Sequence, residues 1–249
     1  MHVSENPYPG PTHDVVFLMD TSDVSRSDFY QEILFVKSLA RELSVTPSEF
    51  QKAVVSYGNK YSQVVRFDSY DSLRDFYTAI DASVYQAGAR RMDRAFEAAS
   101  MILSSRNPAS KKTVVLLTGG SNSREADPNS LARSVQPLFK MEATVIVLAF
   151  GNRYDVQELL PTVKHPKDVR PVPQAYDLVR YVSEISKRII NGPDGTYSVD
   201  CLTFYAPFAI ITDNGLQVNR VAMSNRCIYF LQVYFFITHL RRSTHSFRR

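Results

Sequence analysis

Val15-Val16-Phe17-Leu18-Met19-Asp20 is the stretch on which the fold of this chain turns. Five consecutive apolar residues leave no room for polar alternation, so the run reads as a strand covered on both faces, as in a parallel sheet. The aspartate that closes it falls at the carboxyl end of the strand, the edge along which open α/β sheets hold their ligands.

Downstream, Ser27 is the expected N-cap of a helix, with Asp28 in its first turn. Phe29, Ile33, Val36, Ala40 and Leu43 then recur at steps of four and three, one apolar stripe that ends before Pro47. Residues 53–57 and 63–67 read as two further strands with too short a link for a helix, which implies one antiparallel hairpin. Leu73, Phe76, Tyr77 and Ile80 mark a second helix, and Met92, Phe96, Ala99 and Leu103 a third. Residues 113–117 and 143–149 are again fully apolar strands. Between them, Asp127 followed by Pro128 predicts a helix running through Leu131, Val135 and Leu138. A short helix near 154–160 and a weak strand at 169–172 precede a last helix carrying Leu178, Val182, Ile185 and Ile189 on one face.

The alternation predicts a doubly wound α/β fold with helices on both faces of a mostly parallel, six-stranded sheet that has one antiparallel edge strand. The expected organisation is a linker over 1–13, with Pro7, Pro9, Gly10 and Pro11, one domain over 14–191, and an irregular or poorly ordered tail over 192–249. The tail holds an apolar run at 228–240, shorter than the roughly 20 residues that cross a bilayer. An unordered tail, an interfacial or packing segment, and a membrane anchor all stay open, the anchor being the least expected.

The chain has 249 residues, 44% hydrophobic and 22% charged, a globular composition, with a net charge of +4. Beyond Asn191 there are six arginines and three aspartates, so most of the excess charge belongs to the tail. The nearly neutral body has no basic stripe, which argues against nucleic acid as a partner. Cys201 and Cys227, the two cysteines, both lie in the tail, and their pairing stays open. The first seven residues contain no apolar stretch, so no secretory signal is expected, which leaves a cytosolic protein or a piece of a longer, exported one.

Three loops on the strand-end edge are where chemistry could sit. The first is Asp20-Thr21-Ser22-Asp23-Val24, the second Gly88-Ala89-Arg90-Arg91-Met92-Asp93-Arg94-Ala95-Phe96, and the third Leu116-Leu117-Thr118-Gly119-Gly120-Ser121. No glycine-rich phosphate loop follows any strand, and Gly119–Ser123 lacks the Gly-x-Ser-x-Gly pattern of a nucleophile elbow. His2, His13, His165, His239 and His245 fall in termini and loops and form no triad or zinc cluster. No catalytic residue and no small-molecule substrate are expected.

Together and in order, these three loops resemble those of von Willebrand factor type A domains, most like the A domains of type VI collagen α chains. The first resembles the family's Asp-x-Ser-x-Ser, the second its Gly-Gly-Thr segment, and the third its Leu-x-Thr-Asp-Gly. In the family these segments hold a divalent cation through oxygen ligands. By that resemblance Asp20 and Ser22 are remnant ligands, while Val24 replaces the second serine, Arg90 the threonine and Gly119 the second aspartate. Asp23 and Asp93 are candidate substitute oxygens, though neither sits at an expected position.

A guanidinium at position 90 would repel a cation and pair with Asp20. Arg90 and Arg91 read either as a solvated helix start or as a cationic spot facing an acidic partner. The resemblance implies a non-enzymatic module of the extracellular matrix without a cofactor, whose degenerate binding face comprises Asp20, Ser22, Asp23, Arg90, Arg91 and Gly119. Its implied partners are matrix proteins or other collagen chains, and its implied origin an incomplete or alternative product of a secreted parent. The alternative is a magnesium-dependent adhesion domain with a rebuilt site.

Overall fold

A computed structural model describes residues 13–44, 50–124 and 126–192, together with the backbone of strands at 204–212 and 215–223. The chain divides into two units, Met1–Gly195 and Thr196–Arg249.

In the first unit, β1 (His13–Asp20) pairs in parallel with β2 (Phe50–Tyr57) on one side and with β4 (Lys111–Thr118) on the other. Parallel pairing continues through β5 (Thr144–Phe150) to β6 (Val169–Val172), and β3 (Tyr61–Val65) lies antiparallel to β2. The order is β3-β2-β1-β4-β5-β6. Strand order therefore reverses at β1, which opens the crevice at the carboxyl ends of β1 and β4. All eight residues of β1 are buried. Val15, Phe17 and Met19 join the core on one face of the sheet, and Val16 and Leu18 the core on the other. This period-two split is the physical content of the unbroken apolar run.

Helix α1 (Arg26–Glu42) begins two residues earlier than a Ser27 cap would place it. Ser25, in extended backbone, is the cap: its Oγ accepts from Asp28 N at 3.0 Å, while Asp28 Oδ2 accepts from Ser25 N at 3.4 Å. Reciprocal satisfaction of two otherwise unbonded amides favours Ser25, and Ser27 falls inside the first turn. The second and third helices are α2 (Leu73–Asp81) and α3 (Met92–Ser104).

The single helix expected after Asp127 is two short ones, α4 (Ser130–Ser134) and α5 (Gln136–Lys140). Asp127 Oδ1 accepts from Asn129 N at 2.8 Å and closes a turn rather than capping a helix. Pro137 breaks the continuation, since it has no N–H and its ring crowds the preceding turn. Helix α6 (Val156–Leu159) follows β5, and a 3-10 segment at Ala175–Tyr181 leads into α7 (Val182–Asn191).

His13, expected in the linker, is the first residue of β1 and is buried. Its Nε2 lies 2.9 Å from Thr113 Oγ1 and its ring stacks on Phe50. In the second unit, where an irregular tail was expected, β7 (Phe204–Thr212) and β8 (Gly215–Met223) form an antiparallel hairpin. Cys201, Cys227 and the apolar run 228–240 lie outside the described residues. Among the described residues no helix is long and apolar enough to cross a membrane.

Candidate functional site

Asp20 ends β1 at the reversal point of the sheet and is fully buried. Four donors converge on its carboxylate. Oδ1 accepts from Ser22 N at 3.0 Å and from the Ser22 hydroxyl. Oδ2 accepts from Gly119 N at 3.1 Å and from Arg90 Nε at 2.6 Å. The Arg90 side chain is itself 9% exposed, so this ion pair is nearly dry. Burial works against the guanidinium's charge, but Asp20 and the polar groups behind it outweigh that effect and hold it firmly protonated.

Two further Arg90 groups, Nη1 and the backbone carbonyl, tie the neighbouring loop down. Nη1 donates to Ser121 O at 3.4 Å, and the Arg90 carbonyl accepts from Ser123 N at 2.7 Å. The segment after β4 thus leans on Arg90, two residues before α3. Nearby, Asn122 Oδ1 accepts from Met92 N, the first amide of α3, at 2.9 Å. An amide without an intrahelical acceptor finds one there.

The glycines are spatial requirements of this arrangement. A Cβ at Gly119 would lie 2.7 Å from Val24 Cγ1 and 2.8 Å from Phe150 Cε2. A Cβ at Gly120 would overlap Arg90 Nη1. Val24 is buried and joins the core on the α1 side, so the position that resembles a ligand serine belongs to the hydrophobic interior.

Of the other anticipated residues, Asp23 is exposed and does not approach Asp20 through any described hydrogen bond. Arg91 turns to Asp93, donating through Nε and Nη2 at 2.9 and 2.7 Å. Burial tends to raise the Asp93 pKa, but the Arg91 contacts prevail and lower it. Asp20, Ser22, Arg90 and Gly119 therefore come together, while Asp23 and Arg91 stand outside that cluster. Among the described residues, no three His, Cys, Asp or Glu side chains are grouped to hold a metal ion.

Glu32 is the participant that the sequence reading missed. It lies on the core face of α1, fully buried, and its Oε2 accepts from Asp20 N at 2.7 Å. Burial, reinforced by the Asp20 carboxylate, raises its pKa well above the ordinary carboxyl value. Its position three residues after Phe29, on the apolar stripe, was the available signal. Glu32 Oε1 and Arg90 Nη2 have no hydrogen-bond partner among the described residues.

The von Willebrand factor type A domain family model matches residues 14–174, more than half of the chain. The chain belongs to this family, whose domains are in general extracellular protein-interaction modules without enzymatic activity. It is 28% identical over 159 residues to the mouse sushi, von Willebrand factor type A, EGF and pentraxin domain-containing protein 1, covering 61% of this chain and 4% of that protein. Human von Willebrand factor A domain-containing protein 2 is 27% identical over 177 residues, covering 69% and 22%. The mouse collagen alpha-5(VI) chain is 24% identical over 157 residues, covering 61% and 6%. The chain thus spans less than a quarter of the length of each of these relatives.

Among solved structures, proximal thread matrix protein 1 from the mussel byssus superposes with a TM-score of 0.65 at 18% identity, covering 72% of this chain and 48% of that one. A second structure of that mussel protein has a zinc-occupied MIDAS motif. A von Willebrand factor type A protein from Catenulispora acidiphila superposes with a TM-score of 0.59, also at 18% identity, covering 80% and 45%.

Proposed function

We propose that this chain is an extracellular-matrix binding and assembly module, part of a collagen VI-like chain, that engages protein partners through its strand-end edge without a metal ion. The observation that carries this reading is the buried pair of Arg90 and Asp20, with Nε 2.6 Å from Oδ2, in the loops that resemble the family's cation ligands. The donor set does not suit a divalent cation. Both Asp20 oxygens already accept two hydrogen bonds each, Val24 offers no lone pair, and a guanidinium adds positive charge where a cation would sit.

Relatives that include a collagen chain support the matrix setting, with matrix proteins or other collagen chains as partners and neither nucleic acid nor a small-molecule substrate involved. The family's general role supports a secreted, non-catalytic protein that mediates adhesion or assembly. In this reading the binding face comprises the loops of Asp20, Ser22, Asp23, Arg90, Arg91 and Gly119, presented by the domain over 14–191. The alternative is a magnesium-dependent adhesion site rebuilt from Asp20, Ser22 and Asp23, to which the zinc-occupied motif of the mussel protein lends its weight.

The test is calorimetric titration of the full chain with magnesium and manganese, with thermal melts and capture by immobilised matrix proteins in the presence and absence of chelator. The expected result is no metal-binding heat, an unchanged melting temperature and chelator-resistant capture. Chelator-sensitive melting or capture would replace this reading with the rebuilt metal site.

A further inference from the structure

The arrangement around Arg90 has more structure than an ion pair alone requires. The guanidinium meets a buried carboxylate through Nε and a backbone carbonyl through Nη1. Gly120 leaves the space that its Nη1 occupies, and any side chain there would collide with it. Ser22 and Gly119 donate to the same carboxylate from two different loops, so Asp20 is held from both sides in the orientation that Arg90 meets. Glu32 Oε2 then holds the Asp20 amide at 2.7 Å. Space and charge are thus matched to a planar cation, and two of its three nitrogens, Nε and Nη1, find acceptors.

We propose that the pocket at the carboxyl end of β1 is a guanidinium-binding site that the chain fills with its own Arg90. The side chain acts as a tethered ligand that locks the loops after β1, before α3 and after β4 into one arrangement, with no cation taken from solution. Arg90 is accordingly a positioning residue: it shapes the binding edge rather than touching the partner, because 9% of its side chain is exposed. A planar fork suits this role where an ammonium does not, since lysine offers a single charge centre and no second nitrogen to reach Ser121. The inference rests on the reading of this edge as metal-independent, and it fails separately from that reading.

The experiment is chemical rescue in the full chain. Arg90→Ala removes the guanidinium and leaves Asp20, Ser22 and Gly120 in place. Its melting temperature is measured with millimolar guanidinium chloride against the same concentration of sodium chloride. The expected result is a fall in melting temperature for Arg90→Ala that guanidinium partly reverses, in proportion to the logarithm of its concentration, as binding to the folded state requires. Wild type, whose pocket is full, shows no such rise, and Arg90→Lys is destabilised without being restored to wild-type melting.

Gly120→Ala supplies an independent readout that does not require the Arg90→Ala variant to fold well. It lowers the melting temperature in the wild-type background. Its effect shrinks in an Arg90→Lys background, because the closest collision is with the guanidinium, while the approach to Arg153 O at 3.1 Å remains. Absence of rescue, a response equal to that of wild type, or a Gly120→Ala effect unchanged by Arg90→Lys would each overturn the proposal. Any of these can occur while wild-type capture stays chelator-resistant, and metal-dependent capture by wild type would instead sink the reading of the edge.

Discussion

The two ends of β1 carry the same chemistry and put it to different use. At the amino end Asp14 is buried and accepts from Ser110 Oγ at 2.5 Å and from Arg106 Nε at 3.0 Å. At the carboxyl end Asp20 is buried and accepts from Ser22 and from Arg90 Nε at 2.6 Å. Arg90 and Arg106 flank α3 on either side, so this helix is clamped to the central strand at both of its ends.

Surroundings separate the two clamps. The Arg106 side chain is 26% exposed and rests on the Phe67 ring, with Cζ 4.5 Å from the centroid. Arg90 is nearly dry, faces Gly120 and shares its site with the buried Glu32. An aspartate–arginine pair is therefore not in itself a mark of function. What sets the Asp20 pair apart is its position at the reversal of strand order, where three loops converge.

The sharpest way to break this contrast is to delete each arginine in turn. Arg90→Ala leaves a fully buried carboxylate without its counter-charge and is expected to cost about 3–5 kcal/mol. Arg106→Ala, at the wetter end, is expected to cost about 1–3 kcal/mol, because water replaces part of what is lost. Urea denaturation of both variants measures the difference, and equal losses would mean that the two ends are equivalent.

Next in size is Gly119→Asp, which introduces the aspartate of the Leu-x-Thr-Asp-Gly segment that the third loop resembles. Its Cβ would sit 2.7 Å from Val24 Cγ1 and 2.8 Å from Phe150 Cε2, so overpacking of about 1–3 kcal/mol is expected. A gain in magnesium affinity without loss of stability would show that the pocket is readily converted to a metal site.

Smallest per step are the pH slopes, at most about 1.4 kcal/mol per pH unit, and they have opposite signs at the two ends. At the amino end, burial foremost, with Lys111 adding to it, depresses the His13 pKa from 6.5 to about 4. A depressed pKa means that the folded state favours the neutral ring. Its contribution is present above pH 6.5 and is lost as pH falls through 4, at up to about 1.4 kcal/mol per pH unit. His13→Gln should flatten that fall.

At the carboxyl end Glu32 is raised above its ordinary 4.5, so the folded state favours the protonated carboxyl. Stability from this group is complete below pH 4.5 and is lost as pH rises above it. Glu32→Gln, which keeps an acceptor for the Asp20 amide, should therefore gain on wild type with rising pH. Denaturation series from pH 4 to 8 for the two variants check both slopes, and slopes of the same sign would remove this distinction.

Much of this protein was legible in the sequence. The run from Val15 to Met19 announced a doubly covered strand, because a strand buried on both faces has no position left for a polar side chain. The three loops at Asp20, Arg90 and Gly119 are legible as candidates because each falls at a fixed offset after a strand or before a helix. The β7–β8 pairing is not legible in the same way, since the sequence carries no alternation there that leads to it and the reading of that region is an irregular tail.

Other features were decided only by the tertiary structure. Periodicity fixes which face of α1 is buried, yet it gives no reason for a carboxyl to be on it, and Glu32 became intelligible only with the Asp20 amide 2.7 Å away. Ser25 outcompeted Ser27 as the cap because of reciprocal hydrogen bonds whose geometry a one-dimensional pattern does not contain. The glycines at 119 and 120 are explained by Val24, Phe150 and Arg90, residues that lie about 30 to 95 positions away along the chain and meet them only when β1, β4 and β5 are aligned. Sequence alone determines local preference and burial pattern, because these depend on neighbours along the chain. Which charges meet, and which spaces must stay empty, depends on neighbours in space.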